Sequence, residues 1–226
     1  MSRRYLHPVL PAPGARLLLD RAASHHLLEV CRHPRGAPLR LFDGRGREAL
    51  CRLVGVEGNL ALVEGLQEPR ESFSGSWRVL LLALCKGPAF EAALRMACEL
   101  GVGEVRPVLA ARSNLRRGNE DRWRRVLEAA SRQCGRATLP ALAELSPLPV
   151  ALEAQGLPAE RWVATPTAPL AAHSGEDLAL LIGPEGGLDE AEIAAARAAG
   201  FTPVGLGPLI LRVDTAVAAA LARALG

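Results

Sequence analysis

The chain has 226 residues, 49% of them hydrophobic, with a formal net charge of +3, enough apolar content and length for one large or two small domains. No apolar run is long enough to span a bilayer, and the Met-Ser-Arg-Arg-Tyr start leads into no apolar signal core, so a cytoplasmic address is expected. The five cysteines, at 31, 51, 85, 98 and 134, are odd in number and include no C-x-x-C pair, which argues against a disulfide framework and a zinc site and for buried free thiols.

Residues 1–70 read as short strands separated by turn chemistry. Residues 39–42 alternate, Asp43-Gly44 turns the chain, and residues 48–54 run on. Glu57-Gly58-Asn59 is a second turn before a strand at 60–63, and residues 24–30 fit a short helix. Asp-Gly between such runs is a hairpin signal, and the whole reads as a small, mostly antiparallel β-barrel. This stretch carries 11 arginines, no lysine and 7 acids, whereas residues 71–226 carry 16 basic residues against 17 acids. The positive excess therefore lies in the first third, with four of the five histidines (His7, His25, His26 and His33). Arginine binds phosphate bidentately and stacks on bases; an arginine bias also arises from genome composition or a hot habitat, and both readings stand. A linker is expected over residues 67–75.

Beyond it the rhythm changes. Strands are expected at 77–84, 105–109, 161–164, 178–182 and 202–206, and helices at 89–100, 120–134, 189–199 and 214–225. Asp189 with Glu192 has the spacing of a capping box, and Gly101, Gly135 and Gly200 are natural helix stops. Strand and helix alternate at short spacing, which predicts an α/β domain over 71–226, built on a mostly parallel sheet with helices on both faces. Ligands of such sheets bind beyond the carboxyl ends of the strands.

Two segments carry the chemistry. Leu180-Leu-Ile-Gly-Pro-Glu-Gly-Gly-Leu-Asp189 runs from an apolar strand through a glycine loop into a helix start. Leu206-Gly-Pro-Leu-Ile-Leu-Arg-Val-Asp-Thr-Ala216 repeats that logic, with Arg212 at the mouth of the last helix. Glycine lets main-chain groups approach a ligand, and proline fixes a turn without a hydrogen bond. Ala164-Thr165-Pro166 supplies a third wall. The candidate pocket residues are Thr165, Pro166, Ile182, Gly183, Pro184, Gly187, Leu206, Gly207, Pro208, Ile210 and Leu211. The first loop is neither G-x-G-x-x-G nor a P-loop, and three loops at strand ends suit a bent nucleoside better than an extended dinucleotide. A tight strand–helix connection is the plain alternative for Gly183–Gly187.

These segments resemble the C-terminal signature of the bacterial 16S ribosomal RNA uridine-N3 methyltransferases, a family of the knotted (SPOUT-type) class of S-adenosylmethionine-dependent RNA methyltransferases. Arg4-Tyr5, Leu41-Phe-Asp-Gly44, Lys86-Gly87, Glu99-Leu-Gly101, Arg112 and Gln133-Cys-Gly-Arg136 extend the likeness, in order, over nearly the whole chain. Two positions depart from it. Asp214 stands where the family usually has Glu, which keeps the charge but shortens the reach. Arg95-Met96 stands where it has a Gln-Lys pair, which puts in doubt any role for a lysine on that helix.

The resemblance implies a knotted catalytic domain, a PUA-like N-terminal barrel that docks RNA, and a homodimer whose interface would suit the Ala/Leu-rich last helix. It implies methyl transfer from S-adenosylmethionine to N3 of one uridine of 16S ribosomal RNA, without a metal, with the assembled small subunit as the expected substrate and naked RNA as the open alternative. Glu185, Arg212 and Asp214 are then the catalytic candidates. Glu185 either positions the uracil or caps the helix at Asp189; Arg212 either faces the target base or pairs structurally with an acid such as Asp214. Arg3, Arg4, Lys86, Arg112 and Arg136 are the candidates for RNA contact. Arginines 112, 116, 117, 122, 124, 125 and 136, gathered around Trp123, form either a phosphate-tracking surface or a solvated helix face. Two rival readings remain: a nucleotide-cofactor oxidoreductase, against which the missing dinucleotide fingerprint counts, and a non-catalytic RNA-binding or ribosome-assembly protein, which would not need the glycine loops.

Overall fold

The computed structural model describes residues 3–72, 77–166, 168–170 and 177–225; positions 73–75 of the expected linker lie outside them. The chain divides into two compact units, one of Met1–Ser74 with Ser131–Leu139, the other of Gly75–Ala130 with Pro140–Gly226. Among the described residues no helix is long and apolar enough to cross a membrane.

The first unit contains β1 (Arg3–Leu6), β2 (Arg16–Leu18), α1 (Arg21–His25), β3 (Pro38–Phe42), β4 (Arg47–Glu57), β5 (Leu60–Gly65) and β6 (Arg70–Glu71). The strands form one sheet in the order β1-β3-β4-β5-β2, with β6 on β4. Both expected hairpins are present. Asp43 holds the first by accepting the N–H groups of Arg45 at 2.8 Å and Arg47 at 3.0 Å, and Gly58-Asn59 connects β4 to β5. The sheet is mixed, because β1 joins β3 in parallel while the other pairs are antiparallel. The expected helix over 24–30 is instead α1, capped by Asp20, running into a π-helical turn over His26–Val30. Tyr5, Leu27, Leu39, Leu41, Leu53 and Val63 fill this core. The 131–139 segment joins the unit at the first hairpin: Gly46 donates to the Ala137 carbonyl and Leu139 to that of Gly44.

The second unit contains β7 (Arg78–Ala83), α2 (Gly87–Glu99), β8 (Glu104–Leu109), α3 (Glu120–Cys134, whose last turn belongs to the first unit), β9 (Ala141–Leu142), β10 (Ser146–Pro147), α4 (Leu148–Glu153), β11 (Arg161–Ala164), β12 (Leu178–Ile182), α5 (Glu190–Ala198), β13 (Thr202–Val204) and α6 (Val213–Leu225). Its sheet runs β10-β8-β7-β12-β11-β13, with β9 also on β8, and every pair is parallel. The fold is thus mixed α/β with two sheets, one of them all-parallel.

Burial on both faces explains why β7 and β12 read as unbroken apolar runs. On β7, Leu80 and Leu82 point into one core with residues of α2, α3 and α6, while Val79, Leu81 and Ala83 point into another with residues of α4 and α5. The helices present matching stripes: Ala89, Phe90, Ala93, Leu94, Ala97 and Cys98 on α2, and Trp123, Leu127 and Ala130 on α3, spaced by three and four residues. The Phe90 and Trp123 rings meet at 4.4 Å between centroids. Within the cluster of arginines around Trp123, ion pairs join Arg122 to Glu91 and Arg124 to Glu120 and Asp121.

Candidate functional site

Three neighbouring strands, β12, β11 and β13, end on one side of the second unit, and the loops that follow them enclose a cavity of about 330 Å³. Ala164, Thr165 and Pro166 enter it from β11, Ile182 to Leu188 from β12, and Leu206, Gly207 and Leu209 to Leu211 from beyond β13. Ile193 of α5, Val213 and Ala216 of α6, and Arg112 complete the lining. Ten of the eleven candidate pocket residues therefore meet at one cavity; Pro208, on the same loop, is not among its lining residues. Leu209 and Ile210 are 75% and 87% exposed, so the cavity carries an open apolar lip. Ala164, Gly186, Leu188, Leu209, Val213 and Ala216 lie in the three segments read from the sequence but are not among those eleven, and Ile193 lies outside them. Ile193 reads in the sequence only as an ordinary residue of the helix over 189–199.

The first loop is built by its own backbone. Gly187 donates to the Pro184 carbonyl at 2.9 Å, closing a turn. Asp189 then starts α5 with a full capping box, accepting the Glu192 N–H at 2.8 Å while its own N–H donates to Glu192 Oε2 at 2.9 Å. The helix cap is thus Asp189 and not Glu185. A Cβ on Gly183 would stand 3.0 Å from Leu188 Cγ and 3.2 Å from its main-chain nitrogen, so the loop packs tightly on this glycine where it folds back on itself, a reason within the protein alone. Gly207 adopts φ +142, backbone that L side chains rarely take.

Glu185 is exposed and accepts the main-chain N–H of Lys86 at 3.2 Å. Arg212 Nε lies 3.5 Å from Asp214 Oδ1; the Arg212 side chain is largely in solvent, and Asp214 also accepts the Thr215 N–H at 3.0 Å. The sulfur of Cys85, buried where β7 ends, sits in the field of this acidic pair: burial first, then the charges of Glu185 and Asp214, push the thiol up to about 12. It is therefore neutral and inert at physiological pH. Arg112 donates from a terminal guanidinium nitrogen to the Gly186 carbonyl at 2.9 Å.

The other RNA candidates belong to the first unit, apart from Lys86, whose exposed side chain stands at the start of α2. Arg3 is exposed on β1. Arg4 is only 12% exposed, bound to Glu48 at 2.7 Å and to the Arg136 carbonyl at 3.3 Å, and stacked over Phe42. Arg136 donates to Thr138 Oγ1 at 3.1 Å. Arg4 is thus a framework residue of its unit, while Arg3 is presented to solvent.

Loops at the carboxyl ends of parallel strands, an apolar nucleoside-sized cavity and flanking charged side chains define the class of a nucleoside-cofactor enzyme. Residues 76–225 match the family model described as an RNA methyltransferase domain. The ribosomal RNA small subunit methyltransferase E of Synechocystis is 32% identical over 221 residues, covering 92% of this chain and 72% of that protein. The enzyme of the same name from Mycobacterium bovis is 32% identical over 235 residues, covering 94% and 87%. The crystal structure of ribosomal RNA small subunit methyltransferase E from Neisseria gonorrhoeae bound to S-adenosylmethionine superimposes with a TM-score of 0.88 at 29% identity, covering 98% of this chain and 96% of that one. A Legionella pneumophila methyltransferase with bound S-adenosylmethionine gives the same TM-score at 28% identity. The chain belongs to the RNA methyltransferase family and, within it, to the small subunit methyltransferase E group.

Proposed function

We propose that this protein is an S-adenosylmethionine-dependent methyltransferase that modifies N3 of a uridine in 16S ribosomal RNA. The observation that carries the reading is the convergence of the three strand-end loops on one apolar cavity, joined to family membership and to two solved relatives that hold S-adenosylmethionine. The residues present fit that cofactor. A cavity of about 330 Å³ lies in the range of small-molecule sites; Ile182, Leu206 and Leu211 offer apolar walls for an adenine, and the main chain of Gly183–Gly187 and Gly207 offers hydrogen-bonding groups close to it. When bound, S-adenosylmethionine supplies the methyl group as a sulfonium, chemistry that belongs to the cofactor.

The protein's share is the uridine. N3 carries a proton whose pKa is close to that of tyrosine, about 10, and that proton must leave. Arginine cannot accept it. In this reading the Arg212 guanidinium faces the uracil oxygens and stabilises the negative charge that develops there. Asp214 orients the guanidinium from 3.5 Å. Glu185 lends one carboxylate oxygen to Lys86, and its other oxygen is the candidate to receive the proton. Lys86, Arg112 and Arg3 contact phosphates.

The same reading includes a knotted catalytic domain, an RNA-docking barrel over residues 1–70, a cytoplasmic address and a homodimer. The exposed Leu209 and Ile210 and the small residues of α6 support an interface beside the cavity. The test is methylation with labelled cofactor on naked ribosomal RNA and on small-subunit particles side by side, followed by nucleoside analysis. Label in N3-methyluridine is expected, and label in another nucleoside, or none on either substrate, overturns the reading. Removal of residues 1–70 is expected to abolish RNA methylation and spare cofactor binding; full RNA methylation by a folded fragment would refute the division of labour.

A further inference from the structure

The capping box of α5 uses only part of Glu192. Its Oε2 accepts the Asp189 N–H at 2.9 Å, as a capping box requires. Its Oε1 does something a helix cap does not need: it accepts the main-chain N–H of Ala111 at 2.7 Å, 81 residues away, in the loop after β8. The next residue of that loop, Arg112, donates to the Gly186 carbonyl at 2.9 Å and lies so close that a Cβ on Gly186 would stand 3.2 Å from Arg112 Cβ. One carboxylate thus registers two loops against each other. Arg112, Gly186, Leu188 and Ile193, on either side of the joint, all line the cavity.

We propose that Glu192 is a positioning residue of the cofactor site: it holds the Ala111–Arg112 segment against the Gly183–Leu188 loop and thereby fixes the wall that Arg112 and Gly186 form. The claim rests on the assignment of this cavity to S-adenosylmethionine. An ionised carboxylate suits the task, because it accepts two N–H groups at once from different directions. A glutamine has one acceptor oxygen and would turn its NH₂ toward the second donor.

Two alanine variants separate positioning from capping. Asp189→Ala and Glu192→Ala both break the capping box, but only Glu192→Ala releases Ala111. Calorimetry with S-adenosylhomocysteine is expected to show about a tenfold loss of affinity in Glu192→Ala, the scale of a hydrogen bond to a charged group, with Glu192→Gln between it and wild type and Asp189→Ala within about twofold of wild type. Hydrogen exchange in the ligand-free protein is expected to speed up at the Ala111 amide in Glu192→Ala and not in Asp189→Ala. Equal affinities in the two alanine variants, or unchanged exchange at Ala111, overturn the proposal. A wild-type protein that binds no S-adenosylhomocysteine overturns the cofactor assignment instead, and the exchange result then decides alone whether Glu192 registers the two loops.

Discussion

Glu185 Oε1 accepts the main-chain N–H of Lys86 across 3.2 Å, joining the loop after β12 to the loop after β7, its partner in the sheet. A residue read in the sequence as a catalytic carboxylate is therefore also a strut between two loops, and the two roles are separable. Glu185→Gln keeps an acceptor for Lys86 and removes the base. If the carboxylate takes the N3 proton, single-turnover methylation falls by about a hundredfold or more, with cofactor affinity unchanged. Glu185→Ala adds a loss of affinity. A glutamine variant with normal chemistry would leave Glu185 as a strut alone.

Arg212 and Asp214 make the second separable pair. The Arg212 side chain is 78% exposed, so as an ion pair it contributes only about 0–1 kcal/mol, and Arg212→Ala is expected to leave the melting temperature nearly unchanged. As the group that stabilises a uracilate, its loss costs about a hundredfold in turnover with little change in cofactor affinity. Arg212→Lys recovers little of this, because a point charge does not replace a planar fork. Near-normal single-turnover rates in folded Arg212→Ala protein would reduce the pair to a surface contact.

Gly183→Val distinguishes ligand approach from loop packing. The valine Cβ would crowd Leu188 side chain and backbone together, and overpacking of this kind costs about 1–3 kcal/mol. The variant is expected to melt at a lower temperature and to bind S-adenosylhomocysteine more weakly. Thermal unfolding and calorimetry on one preparation check it: lost affinity at an unchanged melting temperature would mean that the glycine serves the ligand only.

In the first unit, Glu48 is nearly buried and takes guanidinium hydrogen bonds from Arg4, Arg40 and Arg70 at 2.7 to 3.0 Å. Burial pushes its carboxyl up, but the bonds from Arg70 and Arg4 and the charges of Arg4 and Arg40 outweigh it and hold the carboxyl below its ordinary value. A depressed carboxylate contributes stability that is present above its unfolded pKa, about 4.3, and is lost as pH falls through the folded value. Glu48→Gln removes the charge that faces Arg4, Arg40 and Arg70 but keeps an acceptor oxygen, and is expected to cost about 1–3 kcal/mol at pH 7. Melts of wild type and variant should converge as pH drops below about 4; a gap that stays constant would show that the charge is not the source.

The strands and helices that bear the cavity were legible because their signals are local. The apolar run ending at Ile182, the Asp189/Glu192 box and the Gly200 stop each act within a few residues, and a strand running straight into Gly-Pro announces a loop at a sheet end. The resemblance carried the family for the same reason: its motifs lie within short stretches. What the sequence could not supply is what depends on partners far along the chain. β1 and β2, of four and three residues, are too short to show a period and exist because β3 and β5 pair with them. The 131–139 segment joins the first unit through bonds to a hairpin some 90 residues earlier. Arg4 stood as a candidate for RNA contact because its charge was visible, while its bond to Glu48, 44 positions away, was not. Glu192 read only as a cap for the same reason: sequence spacing exposes an i,i+3 bond, while the bond to Ala111 exists only once the fold has brought the loop after β8 to the start of α5.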